Sequence, residues 1–366
     1  MRVTEPLHSP LHDRHVALGA KFSEFGGWLM PLQYSGVVAE HRAVRTAVGV
    51  FDVSHLGKVR VTGAGAEEFV NRCLTNDLNR IAPGQAQYTL CCNEAGGAID
   101  DIFSYLISPD EVLLVPNAAN NGTVFGLLSA AAPEGVTVTN EHRDHAVIAV
   151  QGTSSDEVLA ALELPTGHDY LTFVTAHYAG ADLIVCRTGY TGERGYELIV
   201  PAASAGVVWD AVLAAGSEYD ILPCGLGARD TLRTEMGYPL HGHDLSPEIS
   251  PVMANLNWAV GWDKPAFWGA DALRAQRAAK SGPILRGLKS LGKGIPRPEM
   301  TVQVDGTKVG EVTSGTFSPT LGTGIALAFL DRAVKIGDTV DVIVRNRAEP
   351  FEVVRPPFVE PGVREG

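Results

Sequence analysis

The sequence predicts an α+β protein of two or three domains, the last of them a small β-barrel or sandwich. Three observations carry that prediction. The chain has 366 residues, more than one ordinary hydrophobic core accommodates. Segments of helical and of strand periodicity are mixed without the regular alternation of a doubly wound sheet. After Ala279 the texture changes to short strands separated by turns, with Lys280-Ser281-Gly282-Pro283 as the boundary.

Each element follows from local pattern. His12 to Phe22 reads as a short helix, and Phe25-Gly26-Gly27-Trp28 as a turn. Val38, Ala39, Ala43, Val44 and Ala47 recur at helical spacing, and Gly49 ends that helix. Short strands are expected at 50–53 and 57–61, a helix over 63–78, then strands at 88–92, 102–107 and 112–115. Strands at 146–150 and 183–187 follow, and the second continues through the glycine-rich 189–195 into 196–200 as a long hairpin. Helices are expected over 206–215 and 229–237. Strands at 285–289, 301–304, 309–313, 324–329, 339–344 and 351–354 complete the chain.

Composition removes several functions. A formal charge of −13 argues against a general nucleic-acid binder, which needs a basic face to displace counterions. Five cysteines form no C-x-x-C pair or zinc spacing and read as reduced, buried small residues. No apolar run approaches the ~18 residues of a membrane span. The segment from Met1 to Leu11 carries Glu5, Pro6 and Pro10 and lacks a signal-peptide core, so a cytoplasmic protein with little room for a transit peptide is expected. Gly63-Ala64-Gly65 lacks the third glycine of a dinucleotide loop, and no Walker loop or Gly-x-Ser-x-Gly elbow occurs, so no nucleotide is expected. His8, His12 and His15 would share a helical face near the terminus, and His241-Gly242-His243-Asp244 is too tightly spaced for a helical metal pair. His41 and His55 read as core or turn residues, and no metal is expected.

Four constellations could carry chemistry. In Gly96-Gly97-Ala98-Ile99-Asp100-Asp101 two glycines permit a sharp turn and two carboxylates open a strand. Adjacent strand residues point to opposite faces, so at most one carboxylate faces a ligand. Asn117, in Val115-Pro116-Asn117-Ala118-Ala119-Asn120, offers a donor and an acceptor at a strand end, suited to a heterocycle edge or to capping the next helix. In the run from Arg187 to Glu197, Glu197 could pair with a cyclic amidine while Tyr190 and Tyr196 offer rings for stacking on a flat ligand. After Gly225-Leu226-Gly227, a helix beginning near Arg229 would align Arg229, Arg233 and Met236, and two guanidinium groups there suit a carboxylate-bearing ligand.

In this order and spacing the motifs resemble the T-protein, or aminomethyltransferase, family of the glycine cleavage system. The likeness extends to Phe25-Gly-Gly-Trp28-x-Met30-Pro31-x-Gln33-Tyr34, Glu40-His41-x-Ala43-Val44-Arg45, Phe51-Asp52-Val53-Ser54-His55, and the run Gly310 to Pro319. It covers roughly residues 10 to 360. The resemblance implies a three-domain cloverleaf around a central tetrahydrofolate site. Its units would be residues 1–50 with 145–279, an inserted α+β domain over 51–144, and the C-terminal barrel over 280–366. It also implies a reaction. The methylene carbon of an aminomethyl group on the lipoyl arm of H-protein passes to tetrahydrofolate, ammonia leaves, and 5,10-methylenetetrahydrofolate and a dihydrolipoyl arm result.

Position by position, Asp101 matches the family's acidic residue near folate N10, where it would orient that amine and accept its proton. Leu56, Tyr88, Asn117, Tyr190, Glu197, Arg229 and Tyr238 match folate-contact positions, with Glu197 reading the pterin edge and Arg229 fixing the ligand. Leu56 stands where many members carry Met, a swap of similar size that weakens only a sulfur-specific role. The implied partners are tetrahydrofolate as co-substrate and lipoylated H-protein, with no nucleic acid and no membrane. Related readings are a folate-dependent demethylase of a small sulfur or amine compound, a flavin-linked sarcosine or dimethylglycine oxidase, and a non-catalytic folate-binding accessory of iron–sulfur assembly. No preceding flavin domain supports the oxidase, and the accessory's Lys-Gly-Cys-x-x-Gly-Gln-Glu motif is absent.

Overall fold

The computed structural model describes residues 5–363. Its helices are α1 (His12–Ala17), α2 (Val37–Thr46), α3 (Ala66–Cys73), α4 (Asn121–Ala131), α5 (Ser155–Ala161), α6 (Ala205–Gly216), α7 (Leu226–Met236) and α8 (Ala270–Ala279). A three-stranded sheet joins β1 (Leu7–His8), β2 (Lys21–Phe25) and β3 (Trp28–Gln33) in the order β1-β3-β2. A six-stranded sheet is formed by β4 (Gly49–Asp52), β10 (His145–Gln151), β11 (Phe173–Tyr178), β12 (Ala181–Cys186), β13 (Gly195–Pro201) and β14 (Leu222–Cys224), in the order β11-β12-β13-β10-β4-β14. A five-stranded sheet, β6-β7-β8-β5-β9, uses β5 (Val59–Thr62), β6 (Gln85–Cys92), β7 (Ala98–Ser108), β8 (Glu111–Val115) and β9 (Thr137–Asn140).

The chain ends in a closed six-stranded barrel, as the change of texture predicts. Its strands are β15 (Ile284–Ser290), β16 (Thr301–Val304), β17 (Thr307–Ser318), β18 (Thr323–Leu330), β19 (Thr339–Val344) and β20 (Arg347–Val354), in the order β15-β18-β17-β16-β19-β20. The mixture of helix and sheet is the α+β class expected. Among the described residues, no helix is long and apolar enough to cross a membrane.

Several boundaries differ from the sequence reading for local reasons. The first helix stops at Ala17 because Gly19 turns left-handed (φ 72°) and Ala20 N–H reaches back to His15 O at 3.0 Å. Phe22 therefore lies in β2. The helix over 63–78 shrinks to α3, since Thr75 N–H leaves it to bond Leu90 O of β6 at 2.9 Å. The helix assigned from Arg229 begins a turn earlier, where Glu40 Oε2 accepts Gly225 N–H at 2.8 Å and so satisfies a group the helix start would leave open. Helices α5 and α8 and strands β9 and β11 gave no sequence signal strong enough to assign.

The core that matters for function joins the two large sheets. Phe51, Val147, Ala149 and Ile199 of the six-stranded sheet pack with Tyr105 and Leu113 of the five-stranded one, and with Ala228 and Leu232 of α7. On β13, Tyr196, Leu198 and Val200 enter a separate core, so the alternate positions Glu197 and Ile199 face the shared one. On β7, Ile102 and Leu106 enter the core of the five-stranded sheet, whereas Asp101, Phe103 and Tyr105 lie on the side turned to α7. Two sheets thus aim one carboxylate each at the same region.

A buried ionic network fixes α7 against α2 and the barrel. Glu235 accepts from Arg45 Nη2 at 2.7 Å and Nε at 3.0 Å and from the Ser318 and Thr320 hydroxyls, with His41 Nε2 at 3.3 Å. Burial alone would raise this carboxyl. Hydrogen bonds from His41 and Ser318 and the charge of Arg45 outweigh it and hold the carboxyl near 2. A folded pKa below the unfolded one means the stabilisation is complete above the ordinary Glu range and is lost as pH falls toward about 2. Glu235→Gln leaves Arg45 buried without its main partner and should cost about 3 kcal/mol, or ~6–12 °C in unfolding midpoint. Thermal scans from pH 7 to 3 check this: the variant should show a shallower loss of stability with acid than the wild type.

Candidate active site

The turn before Asp100 and Asp101 is dictated by contact. A Cβ on Gly97 would stand 1.8 Å from Pro247 O, and Gly96 has φ 84°. From that turn β7 rises beside β6, pairing Phe103 with Tyr88 and Asp101 with Leu90. Tyr88 is therefore diagonal to Asp101 on the same face, and its hydroxyl donates to Asp101 Oδ2 at 3.0 Å. The β7–β8 ladder pairs Phe103 with Val115, so two residues further along, Asn117 stands opposite Asp101 at the end of the sheet.

That position lets Asn117 straddle both faces. Its Nδ2 donates to Asp101 Oδ1 at 2.9 Å and to Asp100 Oδ1 at 2.8 Å, while its backbone N–H reaches Asp100 Oδ2 at 2.9 Å. Their faces differ, as adjacent strand positions require, and one amide joins them. Asp100 is fully buried, and Asp101 alone is partly open. Asn117 does not cap the next helix through its side chain; α4 begins after Asn120, without a side-chain cap. Burial raises both carboxyls, Asp100 to about 8, with the charge of Asp101 adding to the shift on Asp100.

The other wall comes from the six-stranded sheet and α7. Glu197 is buried and accepts from the Thr188 hydroxyl. Tyr190 stacks on Tyr238 with ring centroids 5.6 Å apart, and its hydroxyl donates to Pro239 O. Arg229 lies over the Tyr190 ring, Cζ 4.7 Å from the centroid. The Tyr190 phenol is raised mainly by burial, and it feels the charges of both Asp101 and Arg229, so it stands between the two walls. Arg229 is depressed by burial and supported chiefly by the charge of Glu197. Its Nη1 is buried with no hydrogen-bond partner among the described residues.

Arg229, Tyr190 and His55 line a cavity of about 410 Å³ that extends past Phe25 to Arg297 and Thr316 of the barrel segment. Phe25 is held there by the β2–β3 turn. Gly26 and Gly27 both have positive φ (58° and 82°), as a two-residue hairpin of this twist requires. Leu56 packs with Phe103 and Val115 on the shared core, and Gly57 N–H bonds Pro116 O at 2.7 Å, which sets the Leu56 turn beside Asn117.

Of the residues named from the sequence, Tyr190 and Arg229 line the cavity, Tyr238 stacks on Tyr190, Tyr88, Asp101 and Asn117 form one hydrogen-bonded cluster, and Glu197 and Leu56 lie on the shared core rather than in the cavity lining. The pairing of Arg229 with Arg233 is only partial. Both border the cavity, but Arg233 is spent on Asp244 Oδ2 at 2.9 Å and Asp230 Oδ1 at 2.7 Å. His8 stacks on His12, whereas His15 turns inward to Asp52 at 2.8 Å and the Tyr34 hydroxyl at 2.9 Å.

His55 is buried, as its reading as a core or turn residue expects, but its place at the cavity was not read from the sequence. It borders the cavity with Nδ1 unpartnered, and burial, aided by the charge of Arg229, pushes it down to about 3, so its ring is neutral. The run Ser54-His55-Leu56 placed it next to a candidate contact, which was the available signal.

The chain was compared with known proteins. Residues 11–264 match the GCVT N-terminal domain, and residues 285–360 match the glycine cleavage T-protein C-terminal barrel domain. An aminomethyltransferase of Frankia alni is 62% identical over 354 residues, covering 96% of this chain and 97% of the relative. One of Mycobacterium tuberculosis is 59% identical, with 98% of each chain covered. The crystal structure of the glycine cleavage system aminomethyltransferase T from Bartonella henselae superposes with a TM-score of 0.91 at 32% identity, covering 97% of this chain and 98% of that one. With both domain families matched in order, the chain belongs to the glycine cleavage T-protein family.

Proposed function

We infer that this chain is a tetrahydrofolate-dependent aminomethyltransferase whose one-carbon donor is the aminomethyl group on the lipoyl arm of H-protein. The observation that carries the reading is the Asp101 carboxylate, held by Tyr88 and Asn117 opposite Tyr190 and Arg229. Three features suit a folate. Arg229 has a buried, unpartnered N–H for an anionic group, Glu197 can accept from an amidine edge, and the stacked Tyr190 and Tyr238 present flat apolar surface.

Folate supplies the amine that attacks the methylene carbon. The protein's part is to orient and to move a proton. A weakly basic aryl amine becomes strongly acidic once alkylated, so a carboxylate can take its proton as the C–N bond forms. The raised pKa of Asp101 makes it a better base than an exposed Asp. Tyr88 and Asn117 occupy one hydrogen-bonding site on each of its oxygens and fix its orientation. We propose Leu56, Tyr88, Asn117, Tyr190, Glu197, Arg229 and Tyr238 as folate contacts. The cavity past His55 and Phe25 provides the entrance for the donor arm, and residues 1–50 with 145–279, 51–144 and 280–366 form the three units around the site.

Purified H-protein, loaded with an aminomethyl group and mixed with this chain and tetrahydrofolate, should release ammonia in step with 5,10-methylenetetrahydrofolate. Failure with that donor, combined with folate-dependent demethylation of a small sulfonium, would move the chain to another branch of the same chemistry.

A further inference from the structure

Behind Asp101 lie polar groups that the transfer mechanism does not use. Asn120 Nδ2 donates to Asp100 Oδ1 at 2.7 Å, and the same amide nitrogen lies 3.0 Å from His241 Nδ1. His241 Nε2 lies 3.0 Å from Ala98 O. A carbonyl can only accept, so the His241 proton sits on Nε2 and Nδ1 accepts from Asn120. Each of the two hydrogens of the Asn120 amide is then committed, one to His241 and one to Asp100. The amide of Asn117 repeats the pattern, one hydrogen to Asp100 and one to Asp101. An unbroken line of hydrogen bonds runs from Ala98 O through His241, Asn120, Asp100 and Asn117 to Asp101 and ends on the Tyr88 hydroxyl.

The line has a direction. Three donors converge on Asp100 and favour its charged form against the burial that raises it. The bridge through one amide couples two buried carboxyls, so a charge on either makes the other hold its proton more tightly. It also fixes the Asn117 amide with its nitrogen inward, so its oxygen is the atom left for a ligand. We propose that Asp100, Asn120 and His241 are positioning residues for the transfer step: they fix the orientation of the Asn117 amide and set the basicity of Asp101 without touching substrate. This rests on Asp101 being the proton acceptor.

Other titratable groups around the carboxylate pair are few. Tyr88 and Cys91 face it from β6, His241 from the segment after α7, and Tyr190 from the connection after β12. Cys91 and both phenols are raised by burial and stay uncharged across the neutral range, which leaves the two carboxyls to shape the acid limb of turnover.

The test uses two variants of the whole chain that must act in opposite senses. Asn120→Leu removes a donor from Asp100, so the pair holds its proton more tightly and the acid limb of kcat moves to higher pH. Asp100→Asn removes one of the two coupled carboxyls, so Asp101 releases its proton more easily and the limb moves to lower pH. In each, kcat at neutral pH should fall on the order of 30-fold, with KM for tetrahydrofolate within threefold of wild type. A merely structural role would lower activity and stability together and leave the limb in place. Should Asp100→Asn fail to fold, Asn120→Leu decides alone.

Limbs that stay put, or move in the same direction, overturn the proposal. Asp101→Asn is assayed alongside: full turnover there removes the reading on which the inference rests. Lost turnover there with wild-type limbs in the other two removes the inference alone.

Discussion

Asp101→Asn should lower folate-dependent release of ammonia from aminomethylated H-protein by roughly 1,000-fold, within the range for loss of a positioned general base. Binding of tetrahydrofolate should stay within a few-fold of wild type. The substitution preserves shape, and its oxygen can still accept from the Tyr88 hydroxyl that now donates to Asp101 at 3.0 Å. What it loses is the charge that takes the proton. The new amide nitrogen also faces the Asn117 amide nitrogen, which now donates at 2.9 Å, so one of the two amides must turn. Turning costs orientation at the reacting centre but does not disturb the opposite wall, where Glu197 and Arg229 stand. Single-turnover assays with loaded H-protein, and calorimetric titration with tetrahydrofolate, separate the two effects. Turnover within tenfold of wild type would show that the proton goes elsewhere.

The parts of this site that were legible in the sequence are those whose signal is local. Gly96-Gly97 announces a turn, Arg187 to Glu197 announces a hairpin, and helical spacing sets Arg229 on α7. The texture after Ala279 announces the barrel for the same reason, since each short strand carries its own alternation. What brings the two walls together is not local. Asp101 and Tyr190 lie far apart in sequence and meet only because Phe51, Tyr105, Leu113 and Ile199 share one core between two sheets.

Motif order named these candidates without that geometry, because family resemblance stands in for the missing contacts. The supporting shell stayed hidden. From the sequence, His241 reads only as part of a failed metal-ligand spacing, and Asn120 only as part of a strand-end motif. Nothing in their own neighbourhood says that each points at Asp100's side of the sheet. Helix α5 was missed for a plainer reason: seven residues give too few turns for a period to show.

Arg229→Met carries the second large expectation, and its sign is unusual. Arg233, one turn further along α7, is fully satisfied. It bonds Asp230, Asp244, the Ser314 hydroxyl and the Tyr238 carbonyl. Arg229 has no carboxylate within ion-pair distance and no hydrogen bond among the described residues, and burial pulls its pKa down. The folded protein therefore bears a desolvation cost at Arg229 that the charge of Glu197 and the Tyr190 ring offset only in part, and an anionic ligand would offset the rest. Met fills similar space with an apolar chain. The ligand-free variant should be as stable as wild type or more so, by up to about 1 kcal/mol. Its affinity for tetrahydrofolate should fall about 100-fold, the scale of a lost charged hydrogen bond.

Arg233→Met should do the opposite to stability, costing about 3 kcal/mol because it strands Asp244 in the interior. Unfolding scans of the three proteins without folate, followed by titration with it, read both quantities. Equal destabilisation by the two substitutions, with folate affinity kept in Arg229→Met, would mean that Arg229 is a structural residue. The predicted split, with stability kept and affinity lost at one arginine but not the other, would mean that α7 uses two arginines a single turn apart for different ends.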